Sequence, residues 1–540
     1  MRQPASVGHS LAGGDESQPG TRALVPVATA VTAFVGRTLK GPVNEPVCIN
    51  SLAQYAQVFG GQWQSAPLSA AVEHYFEHGG ELAVIVRVAS GGQAPTIDLP
   101  AGEQMLVLVG ICPGSREFLR ASVDYDGIDP VNRTQFNLTV QRLRTAGSGL
   151  VEQQEVFRRC SITPGVDRDL RSVLMGSRLV RVQGNLTAVR PQPTRSASEP
   201  AEVNFIDCNF DGNDGQPLSD YDIIGNHSLR SGLFALDAGP AFNFLCIPDL
   251  APGQPVGMAT LVVATRFCRK NHALLLVDPP PQWSDAEAAL AQLPEWPFSS
   301  ADAVMFYPRV RLASRQSQST VVSGSAAVVA GLLARNSRKE PRWWQAEGIE
   351  LALADAAEPA VLVSDSQRRA LAQAGINTLS SRRADALTPN APCTLLSSAL
   401  GHEPQTLLAK RLELWLAATI ERGTRWALNR RGDPAVWARV QQQVAELLEQ
   451  LQATGALSQT GTELFAICDQ RLNEPRVYAN PTLRLLYGVS TQGTGKYCAW
   501  LVVHEAAGSS TRRVSVSRMA TSGRYVAAEI EADLLRNLPR

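Results

Sequence analysis

The sequence carries no net charge with which to attract a partner of one sign: its 540 residues contain 50 Lys plus Arg and 50 Asp plus Glu. That balance argues against a nucleic-acid coat or a polybasic membrane binder, so electrostatic recognition must come from local clusters. Long apolar runs are missing too. The stretches at 105–109 and 326–330, with Leu332 and Leu333 beyond, fall far short of the ~20 residues a membrane-spanning helix requires. Residues 1–20 lack the basic-then-apolar order of a secretory signal, and no two of the nine cysteines form a C-x-x-C pair. This odd, scattered set excludes a zinc ribbon or dithiol redox site; it predicts reduced, mostly buried thiols in a soluble protein made in a reducing cytoplasm. With 44% hydrophobic and 19% charged residues, wholesale disorder is excluded as well.

Catalytic signatures are equally scarce. Thr494-Gly495-Lys496 has the look of a phosphate loop, but Ser490 stands where the first Gly belongs and Tyr497 where the magnesium-binding Ser or Thr belongs. His504-Glu505 could open a zinc-protease helix, yet residue 508 is Gly and the second His is absent. No G-x-S-x-G elbow occurs, and the seven His lie too far apart in sequence for a triad to be nominated from spacing. Asp207, Asn209, Asp211 and Gly212 match the first half of a calcium loop, whose oxygen donors alternate around one ion. Its twelfth position is Leu218 instead of a bidentate Glu, and a polar turn accounts for the same residues. The expectation is therefore no catalytic or metal-ligating residue and no cofactor.

What is present is an alternation of strands and helices. Residues 1–22, rich in Gly, Ser, Gln and Pro, read as an extended arm. A β-branched and aromatic run at 31–35 predicts a strand, and 69–76 a helix ending at Gly79-Gly80. The short apolar runs 82–88, 243–247, 273–277 and 303–307, each stopped by a polar or Pro-rich turn, predict strands covered on both faces in one α/β core. Residues 89–118 read as a small insertion, 136–140 and 179–182 as further strands, and 190–202 as a linker. Asp433 and Pro434 occupy the cap and first position of a helix whose apolar face repeats through Trp437, Val440, Val444, Leu447, Leu448 and Leu451 until Gly455. Strands at 483–487 and 497–503 follow, then an alternating segment containing Val514 and Val516 and a closing amphipathic helix at 525–538. Residues 410–431 carry six cations against Glu413 and Glu421, a local charge of +4. Such a segment is either a solvated helix face or a docking site for an acidic partner.

Several motifs, in order, resemble the contractile tail sheath family of phage tails and phage-like contractile injection systems. The opening VPVATAVTAFVGRTLKGPVNEPVCINSLAQYAQVFGG, then LSAAVEHYFEHGGELAVIVRV, resembles that family's Thr-Ala-x-x-Phe-x-Gly strand, Gly-Pro turn, Tyr-x-x-x-Phe-Gly element and Gly-Gly-linked helix and strand. NDGQPLSDYDIIG, FNFLCIPDL, CRKNHALLLVDPP, SGSAAVVAGLLARN, AQAGINTL and DPAVWARVQQQVAELLEQLQATGAL follow in the family's order. The termini depart from it. The Pro-Gly-Val-Tyr strand is absent from 1–22, the Trp-Gly-Ala-Arg-Thr segment is replaced near 389–398, and the Pro-Ala-Glu-Phe ending is missing around 496–503.

The resemblance implies a mixed, largely parallel α/β sheet core, subtilisin-like in fold, with an α+β C-terminal domain and extended terminal arms. Its implied divisions are an arm at 1–22, core at 23–88 and 119–400 around the 89–118 insertion, a C-terminal domain at 401–505 and an arm at 506–540. It implies a structural subunit that polymerises as stacked hexameric rings around an inner tube and contracts to drive that tube through a target envelope. Partners would be further copies, the tube protein, and baseplate and terminator proteins, with no nucleic acid and no membrane insertion, assembled in the bacterial cytoplasm. Lys410, Arg411, Arg422 and Arg425 are the candidate tube contacts; Arg513, Val514, Val516 and Arg518 are the candidate inter-subunit strand. The alternatives are a minor sheath paralogue at the baseplate or tail end and, in another class, a subtilisin-like hydrolase.

Overall fold

The computed structural model describes residues 23–194, 204–313, 320–339, 353, 357–379, 391–396, 405–430, 433–457, 464–473, 482–490 and 497–514. By its internal contacts the chain divides into a larger unit, Ala28–Leu412, and a smaller one formed by Met1–Val27 and Glu413–Arg540.

The larger unit opens with β1 (Thr32–Gly36), β2 (Val47–Ile49), α1 (Leu52–Phe59), α2 (Pro67–Glu77) and β3 (Ala83–Arg87). Helix α1 starts where the Ser51 side chain accepts the Gln54 N–H and stops at Gly60, whose φ of 89° is the left-handed turn that a helix end favours. Helix α2 has no side-chain cap; Pro67 presets its first turn instead.

After β3 the chain leaves this layer and builds β4 (Thr96–Ala101), β5 (Gln104–Gly110), β6 (Phe118–Asp124), β7 (Gln135–Leu143), β8 (Val151–Ser161), α3 (Leu170–Leu174), β9 (Val180–Gln183) and β10 (Ile206–Asp207). These strands form two antiparallel sheets, β4-β5-β9 and β10-β6-β7-β8. Ile97, Leu99, Leu106 and Leu108 of the first share one buried core with Leu119, Phe136, Leu138 and Val140 of the second. The expected insertion at 89–118 is thus only the front of a larger sandwich. Strand β5 needs β9 to complete its sheet, and its apolar face needs residues of β6 and β7 to cover it. The signal was in the sequence: alternation of period two, as at Phe136, Leu138 and Val140, marks strands buried on one face rather than the two-faced strands of a parallel core.

The chain then returns through α4 (Asp220–Ile224), β11 (Phe244–Cys246), α5 (Met258–Lys270), β12 (Leu274–Val277), α6 (Ala286–Gln292), β13 (Ala303–Tyr307), β14 (Val310–Ala313), β15 (Thr320–Ser323), α7 (Ala326–Lys339), β16 (Ala357–Pro359), α8 (Asp365–Gln373) and β17 (Asn377–Thr378). A seven-stranded sheet of order β17-β13-β12-β11-β1-β3-β2 results, parallel throughout except for the antiparallel edge strand β2. All four apolar runs expected to share one core lie in it. Val35, Leu245, Leu275 and Met305 belong to a core with Leu261 and Phe267 of α5, Ala289 of α6 and Leu371 of α8. Helices α2 and α7 pack against each other and against β1, β11, β12 and β13. Strands covered in this way must be apolar on both faces, which is why they read as continuous runs.

In the smaller unit, α9 (Leu407–Thr424) continues beyond Leu412, and residues 23–27 run beside it. Trp415 Nε1 donates to the Val27 carbonyl at 3.1 Å, and the Val27 N–H to Thr419 Oγ1 at 3.4 Å. Helix α10 (Pro434–Ala453) begins as the sequence predicts: Asp433 accepts the Ala435 N–H, Pro434 fills the first turn, and Trp437, Val440, Val444 and Leu448 are buried. Strands β18 (Phe465–Ile467), β19 (Leu483–Ser490), β20 (Tyr497–Glu505) and β21 (Gly508–Val514) form an antiparallel sheet in that order. Tyr487 and Trp500, directly opposite on β19 and β20, stack with centroids 5.4 Å apart, the type of aromatic cross-strand pair that fixes register.

Candidate assembly surfaces

The basic segment separates into two pairs with different fates. Lys410 and Arg411 lie in the larger unit and are each only 5% exposed. Lys410 Nζ is 2.8 Å from Asp302 Oδ1, while Arg269 Nε meets the other oxygen, Oδ2, at 2.7 Å. Arg411 donates to Ser337 Oγ at 2.7 Å and to the Thr29 carbonyl at 3.3 Å, and its guanidinium stands 5.3 Å from the Phe244 ring centroid. Burial lowers the Arg411 pKa to about 9. These two cations hold the first turns of α9 to the sheet and do not offer a tube contact. Helical periodicity alone could not reveal this, because their partners Asp302, Ser337 and Thr29 are far away in sequence.

Arg422 and Arg425, in the smaller unit, are exposed. Beside them in sequence Trp426 is 40% exposed, with the Arg439 guanidinium of α10 5.2 Å from its ring centroid. This half of the segment retains the accessible positive charge that docking an acidic surface requires.

The other candidate, the terminal strand, pairs first within its own chain. Arg513 stands opposite Trp500 and Val514 opposite Ala499, so β21 is the last strand of its own sheet, and the Val514 side chain joins that sheet's core. The candidate inter-subunit strand thus pairs within its own chain as far as Val514; Val516 and Arg518 lie outside the described residues. Strand β21 is also tied to α9. Thr511 Oγ1 donates to Glu421 Oε2 at 2.5 Å, and His504 lies between Thr424 Oγ1 at 2.8 Å and Ser509 Oγ at 2.7 Å. The outer edge of β21 has no partner strand among the described residues. Unpaired N–H and C=O groups on such an edge are a template for another strand.

The Ser509–His504 pair is not the start of a catalytic triad. The imidazole is fully buried, and desolvation lowers its pKa to about 4, so it is inaccessible and a poor base. The carboxyl ends of the parallel strands, where α/β proteins commonly bind ligands, are also filled from within. Asp249 pairs with Arg309 at 2.5 Å, and Arg309 donates also to the Pro279 carbonyl. Asp278, half-buried, accepts the Ala326 N–H at the start of α7 at 2.8 Å. Gly324 permits this approach, since a Cβ there would come within 2.1 Å of the Asp278 carboxylate. Ser325 Oγ donates to the Phe306 carbonyl at 2.6 Å, and no histidine joins the group among the described residues. The half-loop at Asp207–Gly212 is likewise a polar turn: Asn209 bonds Asp98 and Thr96, and Asp211 accepts from the Cys208 thiol. Of eight described cysteines, all free, five are buried, but Cys48 is exposed and Cys208 and Cys393 are half-buried.

No protein-family model matches the chain, and no curated protein does either. Solved structures do. A sheath tail protein from Listeria innocua aligns with 92% of this chain and 97% of its own, at 12% identity and a TM-score of 0.55. A sheath tail protein from Desulfitobacterium hafniense covers 93% and 99% at 11% identity and a TM-score of 0.46. The helical sheath of the anti-feeding prophage, in its contracted state, covers 95% and 99% at 13% identity and a TM-score of 0.45. The chain therefore has the fold of the Listeria sheath tail protein over nearly the full length of both.

Proposed function

We propose that this chain is the structural subunit of a contractile sheath, polymerising as stacked hexameric rings around an inner tube and shortening to drive the tube forward. The observation that carries this reading is the shared fold with the Listeria sheath tail protein across 92% of this chain. It agrees with the ordered motifs of the sequence and with polar clusters that satisfy one another instead of facing a substrate. Such a subunit works by geometry: an extended lattice, kinetically trapped during assembly, relaxes to a shorter and wider one when a baseplate releases it. Heterologous contacts that do not close in one ring propagate as a helix. In this reading Arg422 and Arg425 meet the inner tube, the open edge of β21 and the residues beyond it link neighbouring copies, and assembly takes place in the bacterial cytoplasm. Electron microscopy of the chain produced with the tube protein of its own particle tests the reading. Long striated tubes are expected; a dispersed monomer under those conditions overturns it.

A further inference from the structure

The face of the β4-β5-β9 sheet turned away from the sandwich core carries a groove to which the sheath reading assigns no role. Across this face Asp98, Val107 and Gln183 form one cross-strand row, and Thr96 and Val109 stand together in the next. They line an open groove of about 590 Å³, to which Gln93, Asn209 and Phe210 also contribute. Its wall is fixed before any ligand arrives. The Asn209 N–H donates to the Thr96 carbonyl at 2.9 Å and the Thr96 N–H to that of Phe210 at 3.1 Å. Thr96 Oγ1 donates to Asn209 Oδ1 at 2.8 Å, and the Asn209 amide donates to Asp98 Oδ2. Asn213 Nδ2 donates to Gln93 Oε1 at 3.0 Å.

The lining specifies a ligand class. Asp98 Oδ1, the Gln93 amide nitrogen and the whole Gln183 amide have no protein partner among the described residues, so the groove presents both acceptors and planar donors. No Lys or Arg lines it, and nearby Arg181 directs Nη1 to the carbonyls of Ser177 at 2.6 Å and Val180 at 3.0 Å. Phosphates, nucleotides and acidic sugars would therefore meet the Asp98 carboxylate with no Lys or Arg among the lining residues. One carboxylate and neutral amides are also too few hard ligands for a calcium ion. Phe210 is nevertheless 41% exposed here, offering a flat, electron-rich ring face. A ligand with polarised C–H groups on one face and hydroxyls at its rim satisfies both halves of this surface.

We propose that this groove binds a neutral saccharide, its ring stacked on Phe210 and its hydroxyls held by Asp98, Gln93 and Gln183. Saturation-transfer NMR on the full-length chain tests this, with glucose, galactose, mannose, N-acetylglucosamine and their β-linked disaccharides as probes. Glucuronate and tetralysine serve as the anionic and cationic comparisons. An open groove of this kind should bind with a Kd of about 1 mM. Transfer to the ring protons of at least one neutral sugar is expected. Affinity should fall about tenfold or more in Phe210→Ala and in Asp98→Asn, both with an unchanged unfolding midpoint. Three results overturn the proposal: no transfer to any neutral sugar, binding undiminished in both variants, or an Asp98-dependent preference for tetralysine.

Discussion

Asp302 holds two cations, and they are not equivalent. Arg269 is largely exposed and contributes little, whereas Lys410 is buried with its side chain only 6% accessible. Asp302→Asn should therefore destabilise the larger unit by about 3 kcal/mol, chiefly because it leaves a buried ammonium uncompensated; urea unfolding checks it. Burial pushes the Asp302 pKa up, but Lys410 and Arg269 outweigh it, so its pKa lies below the ordinary carboxylate value. Its stabilising contribution is thus present above that ordinary value and lost as pH falls through the depressed one.

Two other groups titrate with opposite signs in the same range. His504, with a pKa of about 4 against an ordinary 6.5, stabilises the fold above pH 6.5 and loses that contribution as pH falls through 4. Asp278, raised to about 6 from 3.8 mainly by burial, contributes stability below 3.8 that is lost as pH rises through 6. In unfolding series from pH 4 to 7, Asp278→Asn should gain on the natural chain as pH rises, by about 3 kcal/mol at most. His504→Gln should do the reverse, its deficit widening with pH.

At the scale of elements, α10 and β21 show how far a segment can be understood by itself. The face, cap and stop of α10 are all local, so Trp437→Ala should cost about 3–4 kcal/mol in the smaller unit without altering helix register, measurable by circular dichroism and denaturant titration. Strand β21 is different, since it needs β20 for its hydrogen bonds and α9 for its Thr511 contact. Cutting the chain at Thr511 would remove half of that strand and confuse folding with assembly. A truncation after Val514 keeps the four-stranded sheet whole. Under the sheath reading it should yield a folded subunit that no longer forms long tubes, and electron microscopy of normal tubes from it would refute a linking role for residues beyond 514.

For the whole molecule, the sheath reading makes the two halves of the basic segment behave differently. Reversing Arg422 and Arg425 together to Glu should leave the unfolding midpoint nearly unchanged while weakening assembly on the tube, increasingly so at low salt, because exposed charges act through solvent. Replacing Arg411 with Met should instead lower the midpoint of the isolated subunit, since it removes the donor to Ser337 and Thr29. Tubes formed normally by the Arg422/Arg425 double variant would exclude this surface.

The sequence by itself determined what is encoded within a few turns of chain. The two-faced strands of the parallel sheet, the capped start of α10 and the ordered motifs resembling a sheath were all legible, because periodicity and caps act over neighbouring residues. Tertiary structure alone decided the rest. That β5 belongs with β9, that Lys410 belongs with Asp302, and that Asp278 fills the start of α7 depend on residues brought together from distant parts of the chain. A run of cations has the same sequence whether it faces water or a buried carboxylate. Only tertiary packing settles that Lys410 and Arg411 are buried in the larger unit, and that Arg422 and Arg425 of the smaller one are exposed.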